Sequence, residues 1–378
     1  MNANNRLDGH LVILVSIEHY NPLSMIRGLG KNGIDPIYIA IKGKGKIASS
    51  SRYVSVCHYV ESVEEAYEFL LKEYGNEEPK PFVLTGDDKT IAYLDRHYEE
   101  LKNHFIVFNA GKMDGIIEYM DKSRILEIAR KHGLNVLETK RVPNGTIPED
   151  LVYPVITKSI SPVIGGWKSD VFICENEEEL KKAYASIKTP EVILQKYIDK
   201  KNEYAMEGYV IDHGRKAYYG VAMTYNYLIK GYYSPYFTVH NADKEEINRK
   251  LSEVFAEIGF EGIFEVEFLI DQDDTLYFGE INFRNSPWSY PTVFLKQPII
   301  VDWMKSMLKG EIVSETPVIP ENYTGMNEPV DYEKRVNGGM ISQAQWLYDF
   351  KKTDVTFYYD PDDPKPYYLM MDHFDQYN

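Results

Sequence analysis

The chain has 378 residues, 44% hydrophobic and 26% charged, with 42 Lys plus Arg against 58 Asp plus Glu and a formal charge of −16. That length holds two or three domains with cores of their own, and so acidic a surface is a poor match for a nucleic-acid backbone. Cys57 and Cys174 argue against a disulfide framework and fit a reducing compartment, and no early apolar run is long enough to span a bilayer.

Leu11 to Ile17 reads as a buried strand, without the basic flank or cleavage site of a signal peptide, so a cytoplasmic protein with no membrane contact is the expectation. Asn21-Pro22 cap and start a helix that runs to a stop at Gly33. Ile37 to Ile41 is a second strand, and Val60 to Tyr74 a helix with acids early and Lys72 late. Further strands are expected at 82–85 and 105–108. Strands alternating with helices predict a parallel sheet covered on both faces, a Rossmann-like domain over residues 1–113. The turn from Ser16 to Ser24 has no Gly, so the dinucleotide fingerprint is absent. His19 follows the first strand at its carboxyl end, where ligand crevices of such sheets lie, and is a candidate substrate contact.

A second unit spans 114–200. Asp121 to Gly133 is a helix with a glycine stop, and Tyr153 to Lys158 a strand ending in lysine. Ser161 to Lys168 is a loop containing Gly165-Gly166, Val171 to Cys174 a strand, Glu177 to Ile187 a helix and Val192 to Ile198 a strand. A third unit, 201–310, holds strands near 203–211 and 217–224, a helix from Lys244 to Ile258 and a hairpin from Gly262 to Asn282. After Gly310 the pattern breaks into short Pro-, Tyr- and Asp-rich pieces. That extension, 311–378, carries 13 acids and 5 bases, half of the net charge.

The hairpin carries the chemistry. Gly262 to Ile270 alternates, with Phe264, Val266, Phe268 and Ile270 on one face and Glu265, Glu267 and Leu269 on the other. Asp271 to Asp274 is a turn by composition. The return strand, Thr275 to Asn282, would place Leu276, Phe278, Glu280 and Asn282 on one face. Closed symmetrically, the hairpin sets Glu265 opposite Glu280 with Glu267 on the diagonal, about 5 Å and about 7–8 Å away. Carboxylates so gathered repel unless a cation sits among them. An all-oxygen set suits Mg²⁺ or Mn²⁺ rather than Zn²⁺, and Mg²⁺ completes its shell with water and phosphate. A solvated acidic face is the alternative, but Arg284 and then Asn285-Ser-Pro-Trp-Ser-Tyr290 follow directly.

Glu280-Ile-Asn282 with Arg284, and Glu267 upstream, resembles the metal-binding hairpin of the ATP-grasp superfamily, carboxylate–amine ligases of the amino-acid and peptide-ligase type with a carbamoyl-phosphate-synthase-like grasp domain. Other pieces follow in family order from about Asp114 to Gly310. Asp121-Lys122 and Lys158 resemble the two phosphate lysines, and Gly165-Gly166 the loop over the triphosphate. Gln195-Lys196-Tyr-Ile198 resembles the hinge on the adenine edge, and Glu203 the ribose acid. The resemblance implies an α/β chain in which a Rossmann-like domain precedes a two-lobed ATP-grasp domain (α+β), ending in an acidic C-terminal extension. It further implies ATP and Mg²⁺ (or Mn²⁺) as cofactors, small-molecule acid and amine substrates, metal ligands Glu267, Glu280 and Asn282, and Arg284 as the catalytic cation. A homodimer is a candidate assembly. Many peptide-type relatives carry Arg where this chain has Glu265, which shifts the work towards Arg284; Glu265 is a candidate contact to a second cation or a substrate amine, or simply a neutral or paired acid, and Ser286 and His19 are further candidate substrate contacts.

A phosphotransferase that stops at a phosphorylated product and a non-catalytic nucleotide-binding module are the alternatives in other classes. Lys42-Gly-Lys-Gly-Lys46 lacks the Walker spacing and reads as a solvated loop. Seven tyrosines, 218, 219, 225, 227, 232, 233 and 236, read as a half-buried sheet or as a wall of the second-substrate pocket.

Overall fold

Apolar runs in the first hundred residues assemble into a sheet that is mostly parallel. In this computed structural model, which describes residues 4–43, 45–162, 170–230 and 233–376, β1 (Arg6–Leu7), β2 (His10–Ile17), β3 (Ile37–Ile41), β4 (Val56–Val60), β5 (Phe82–Leu84) and β6 (Ile106–Val107) pair in the order β4-β3-β2-β5-β6, with β1 on β2. All neighbours but β1 run parallel. Val12 and Leu14 of β2 enter one core, while Leu11, Ile13 and Val15 enter another on the opposite face. Burial on both faces is why β2 is apolar throughout instead of alternating. Strand order reverses between β2 and β5, which opens a crevice at their carboxyl ends.

Two local expectations change. The first helix is Tyr20–Gly30 with His19 at the N-cap position. Asn21, expected as the cap, instead donates from Nδ2 to the carbonyls of Gly86 and Asn285, at 2.6 and 2.7 Å. The helix expected from Val60 starts at Val63 on a Ser62 cap, and Val60 closes the edge strand β4.

A four-stranded sheet follows, β7 (Thr139–Pro143), β8 (Val155–Lys158), β9 (Ile173–Cys174) and β10 (Glu191–Lys196), ordered β7-β10-β8-β9. The Asn176-capped helix Glu177–Ser186 packs Leu180, Ala183 and Tyr184 against its strands. The third sheet has seven strands in the order β15-β14-β11-β12-β13-β16-β17. These are β11 (Asn202–Ile211), β12 (Lys216–Tyr225), β13 (Tyr236–Asn241), β14 (Gly262–Ile270), β15 (Leu276–Asn282), β16 (Thr324–Met326) and β17 (Val355–Thr356). The helix Glu245–Ile258 adds Leu251, Val254, Phe255 and Ile258 to the core beside it.

The acidic extension packs back onto the rest of the chain. β16 and β17 complete the third sheet, and the residues beyond return to the first domain. Arg27, 0% exposed, donates to the Asp363 carboxylate at 3.0 Å and to the carbonyls of Phe357, Tyr358 and Asp363 at 3.0, 3.0 and 2.7 Å. The Glu328 carboxylate accepts the N–H groups of Phe357, Tyr358 and Tyr359. Four acids of the extension, Glu328, Asp331, Asp360 and Asp363, are therefore buried, and three of them pair with Arg335, Lys31 and Arg27. No helix among the described residues is long and apolar enough to cross a membrane.

Candidate active site

The hairpin closes in a different register from the symmetric one. Glu267 faces Glu280 and Glu265 faces Asn282, while Phe268 faces Phe278, with the ladder shifting between Glu267 and Phe268. Gly279 is the extra residue, and a Cβ there would stand 3.0 Å from the Glu267 carbonyl. This bulge turns Phe278 into the core, 1% exposed, and lets Glu280 face the cavity two residues later. Uninterrupted alternation would have put both on one face. The turn also tightens asymmetrically, because the Asp271 carboxylate accepts the N–H groups of Asp273 and Thr275 at 3.0 and 2.8 Å.

On its other edge β14 pairs with β11, setting Ala205 opposite Glu267 and Glu207 opposite Glu265. Two rows therefore cross three strands, Glu207–Glu265–Asn282 and Ala205–Glu267–Glu280. Asn282 donates from Nδ2 to Glu265 and Glu267 at 3.0 and 3.1 Å, which leaves its carbonyl oxygen as the atom offered to a cation.

The two lysines come from separate elements. Asp121 caps the helix Lys122–Lys131 through the N–H groups of Ser123 and Arg124, which places Lys122 on the first turn, ion-paired with Glu280. Lys158 ends β8 and donates to Gln195 Oε1 on β10 at 2.8 Å, while Gln195 Nε2 donates to Thr139 at 3.0 Å. Glu203 pairs with Lys200. Arg284 donates from Nε to Asp88 at 3.0 Å and lies 3.6 Å from Glu265.

One cavity of about 1030 Å³ gathers these groups. Lys122, Lys158, Glu267, Glu280 and Asn282 line it, as do Gln195, Lys196, Ile198 and Glu203 of the expected nucleotide segment. Arg284, Glu265 and Ser286 line the same cavity. His19 does not: Tyr20 is the lining residue, and the His19 ring packs 4.0 Å from it. Gly165 and Gly166 lie outside the described residues, as does Tyr232. Of the remaining tyrosines, Tyr225 and Tyr233 line the cavity, whereas Tyr227 donates to Asp331 of the extension at 2.6 Å.

The electrostatics are those of a site awaiting a counter-charge. Burial, then the neighbouring Glu280 and Glu265, push the Glu267 carboxyl well above its ordinary range. Burial drives Glu265 up to about 7 against the pull of Arg284. Glu280 is held low by Lys122 despite its burial. Burial and the nearby Lys122 ammonium lower Lys158, whereas for Lys122 the pull of Glu280 outweighs burial. Desolvated like charges of this kind are costly unless an opposite charge arrives. Among the described residues no three His, Cys, Asp or Glu side chains form a closed metal cage. Two carboxylates and an amide oxygen nevertheless fit Mg²⁺ or Mn²⁺ brought in on a polyphosphate, since Mg²⁺ takes one or two carboxylates and draws its other ligands from water and phosphate. A resident Zn²⁺ does not fit this donor set.

Sequence reasoning missed Glu207 and Asp88. Glu207 is 0% exposed, and burial, with Glu265 beside it, pushes its carboxyl well above the ordinary range against the pull of Ser286 and Arg284. Only the β11–β14 register brings it to Glu265. Asp88 opens the helix Asp88–Arg96 beyond β5, and its role follows from the crevice where strand order reverses.

Residues 121–286 match the model of the RimK-like ATP-grasp domain. A 2-oxoglutarate carboxylase small subunit from Hydrogenobacter thermophilus is 23% identical over 276 residues, covering 66% of this chain and 52% of that protein, so the chain spans about half the length of this curated relative. Among solved structures, the L-amino acid ligase from Bacillus licheniformis superposes with a TM-score of 0.61 at 16% identity, over 82% of this chain and 78% of that one. The N5-carboxyaminoimidazole synthetase from Staphylococcus aureus complexed with ADP gives a TM-score of 0.67 at 16% identity, over 89% and 87%. The matched segment starts at the Asp121 cap and closes on Ser286, enclosing both lysines, the hairpin and Arg284, and over this segment the chain is similar to the RimK-like ATP-grasp domain.

Proposed function

We propose that the protein is an ATP-dependent ligase that joins a carboxylic acid, an amino acid in the first instance, to an amine through an acyl phosphate, releasing ADP and phosphate. The observation that carries this reading is the meeting of Lys122, Lys158, the Glu267–Glu280–Asn282 set and Arg284 in one cavity. The solved relatives add support, one being an amino-acid ligase and another a synthetase complexed with ADP. A cytoplasmic location goes with the reading.

Lys122 and Lys158 act as two point charges that bracket a polyphosphate. The segment Gln195 to Ile198 faces the base, and Glu203 accepts the ribose hydroxyls. Glu267, Glu280 and Asn282 would hold Mg²⁺, which neutralises phosphate charge when bound. A substrate carboxylate oxygen attacks the γ-phosphorus, the bond to the bridging oxygen breaks, and ADP leaves. Arg284 faces the anionic oxygens of the transferring group, so the work is positioning and charge neutralisation. The amine nitrogen then bonds to the carbonyl carbon, the carbon–oxygen bond to phosphate breaks, and the amine proton passes to solvent. No side chain need serve as a covalent nucleophile.

An ADP-release screen of amino acids, singly and in pairs with Mg²⁺, tests this reading. ADP release should require a particular acid and fall to background in the double variant Glu280→Ala, Lys158→Ala. Turnover that survives both substitutions refutes it.

A further inference from the structure

Two loops from distant parts of the chain meet at one buried amide. Asn21, on the first turn of the first helix, donates from Nδ2 to the carbonyl of Gly86 at 2.6 Å and to that of Asn285 at 2.7 Å. Its Oδ1 accepts from the Asn285 side-chain amide at 3.0 Å, so both donors and the oxygen of Asn21 are engaged. Asn285 is also buried, and its Oδ1 accepts from the Ser289 hydroxyl at 2.9 Å. On the other loop, a Cβ at position 86 would stand 2.9 Å from Met25 Sδ and 3.0 Å from Asn21 Nδ2, so a glycine there lets the amide come this close.

These loops carry the two halves of an ion pair. Arg284 immediately precedes Asn285, and Asp88 lies two residues after Gly86. Arg284 donates from Nε to Asp88 at 3.0 Å, and both residues line the cavity. Asp88 itself stands on a fixed base. Its neighbour Asp87 accepts from the Ser16 hydroxyl and the Ile17 N–H, both at 2.9 Å, and caps the helix Asp88–Arg96 through the Thr90 N–H at 2.8 Å. The carboxylate that holds Arg284 is thereby tied to the carboxyl end of β2. A long arginine side chain is aimed only when its guanidinium is held, and a misplacement of about 1 Å can cost about a hundredfold in rate. A clamp that served stability alone would work anywhere along the boundary between the two domains. This one stands one residue from Arg284 and two from Asp88.

We propose that Asn21 and Asp88 are positioning residues for Arg284, so that the first domain sets the angle at which the guanidinium meets the transferring phosphoryl group. This rests on the ligase reading above, in which Arg284 has that role. Asn21 fixes the spacing of the two loops, and Asp88 fixes the guanidinium within it.

Steady-state ADP release and MgADP binding, measured on the same variants, test this. Asn21→Asp is close to isosteric but turns both donors into an acceptor that faces two carbonyls. It and Asp88→Ala should each lower kcat about a hundredfold, with KM for ATP within about twofold of wild type. MgADP affinity should not change, since Lys122, Lys158 and Glu203 are untouched. Asp88→Asn keeps an oxygen for the Nε–H and should recover most of the rate that Asp88→Ala loses. In an Arg284→Lys background each substitution should cost less than about twofold more, because lysine has no planar fork to aim. Hundredfold losses in both backgrounds overturn the proposal, because the two residues would then act without Arg284. Loss of MgADP affinity in step with kcat overturns it as well, since they would then serve only the fold. Asp88 is partly exposed, so Asp88→Ala decides the matter even where Asn21→Asp does not fold. A wild-type protein that binds MgADP but releases no ADP with any acid and amine refutes the ligase reading, and the proposal falls with it.

Discussion

Replacing Arg27 by Met should remove far more stability than a single helix arginine ordinarily contributes. Arg27 lies on the first helix, yet its partners Asp363, Phe357 and Tyr358 lie more than three hundred positions away, in the acidic extension. Its guanidinium is fully buried and makes one bond to a buried carboxylate at 3.0 Å and three to carbonyls at 3.0, 3.0 and 2.7 Å. Met fills much of the stem volume but supplies no donor. The Asp363 carboxylate keeps the Ser51 hydroxyl and the Arg52 N–H, at 2.7 and 2.9 Å, so the loss is partial. Removing one member of a buried ion pair costs about 3–5 kcal/mol, and a value of about 4 kcal/mol is expected here. Against a domain stability of about 5–15 kcal/mol, that is a large fraction. Urea unfolding of Arg27→Met should show a lower midpoint with the slope preserved, and limited proteolysis should cut first between residues 311 and 360. A loss below about 1 kcal/mol would refute the claim that the extension is part of the folded core.

Three further outcomes follow. Asp95 is 2% exposed and accepts the N–H groups of Ile116 and Ile117, both at 2.9 Å, yet burial raises its carboxyl from 3.8 to about 7. The folded state therefore holds the proton more tightly than the unfolded chain, a contribution complete below about pH 4 and lost as pH rises through about 7. Asp95→Asn should be more stable than wild type by about 4 kcal/mol at pH 8 in thermal melts, with the advantage gone near pH 4; a variant less stable at pH 8 contradicts this. Ala at position 208 would set its Cβ 2.0 Å from the Tyr218 carbonyl, where β12 bulges at Gly220 opposite Glu207 and Gly208, so Gly208→Ala should cost about 3 kcal/mol in urea unfolding. Glu267→Gln should raise half-saturating Mg²⁺ about tenfold, read by titrating ADP release with the metal.

How much of this is legible in the residues depends on how local the cause is. The parallel sheet shows in Leu11 to Ile17 and Ile37 to Ile41 because strands buried on both faces are apolar without interruption. Lys122, Lys158, Glu267, Glu280 and Asn282 are legible because each stands at a motif boundary and all five reach one cavity. The register is not, since the asymmetric turn and the bulge at Gly279 each shift the ladder by one residue and together move Glu280 from opposite Glu265 to opposite Glu267. The edge strand Val56–Val60 also escaped, because an edge carries exposed and half-buried residues that read as part of the next helix. Arg27, Glu328, Asp88 and Glu207 were hidden for another reason. Their meaning comes from partners on distant elements, and composition cannot tell a buried, paired acid from a solvated one.

The acyl phosphate is the centre of the account, and oxygen transfer tests it most directly. An acid substrate labelled with ¹⁸O in its carboxylate would be turned over with ATP and the amine, and the released phosphate analysed by mass. If the carboxylate attacks the γ-phosphorus, one labelled oxygen appears in each phosphate formed. Amide and ADP formed with unlabelled phosphate would contradict the mechanism.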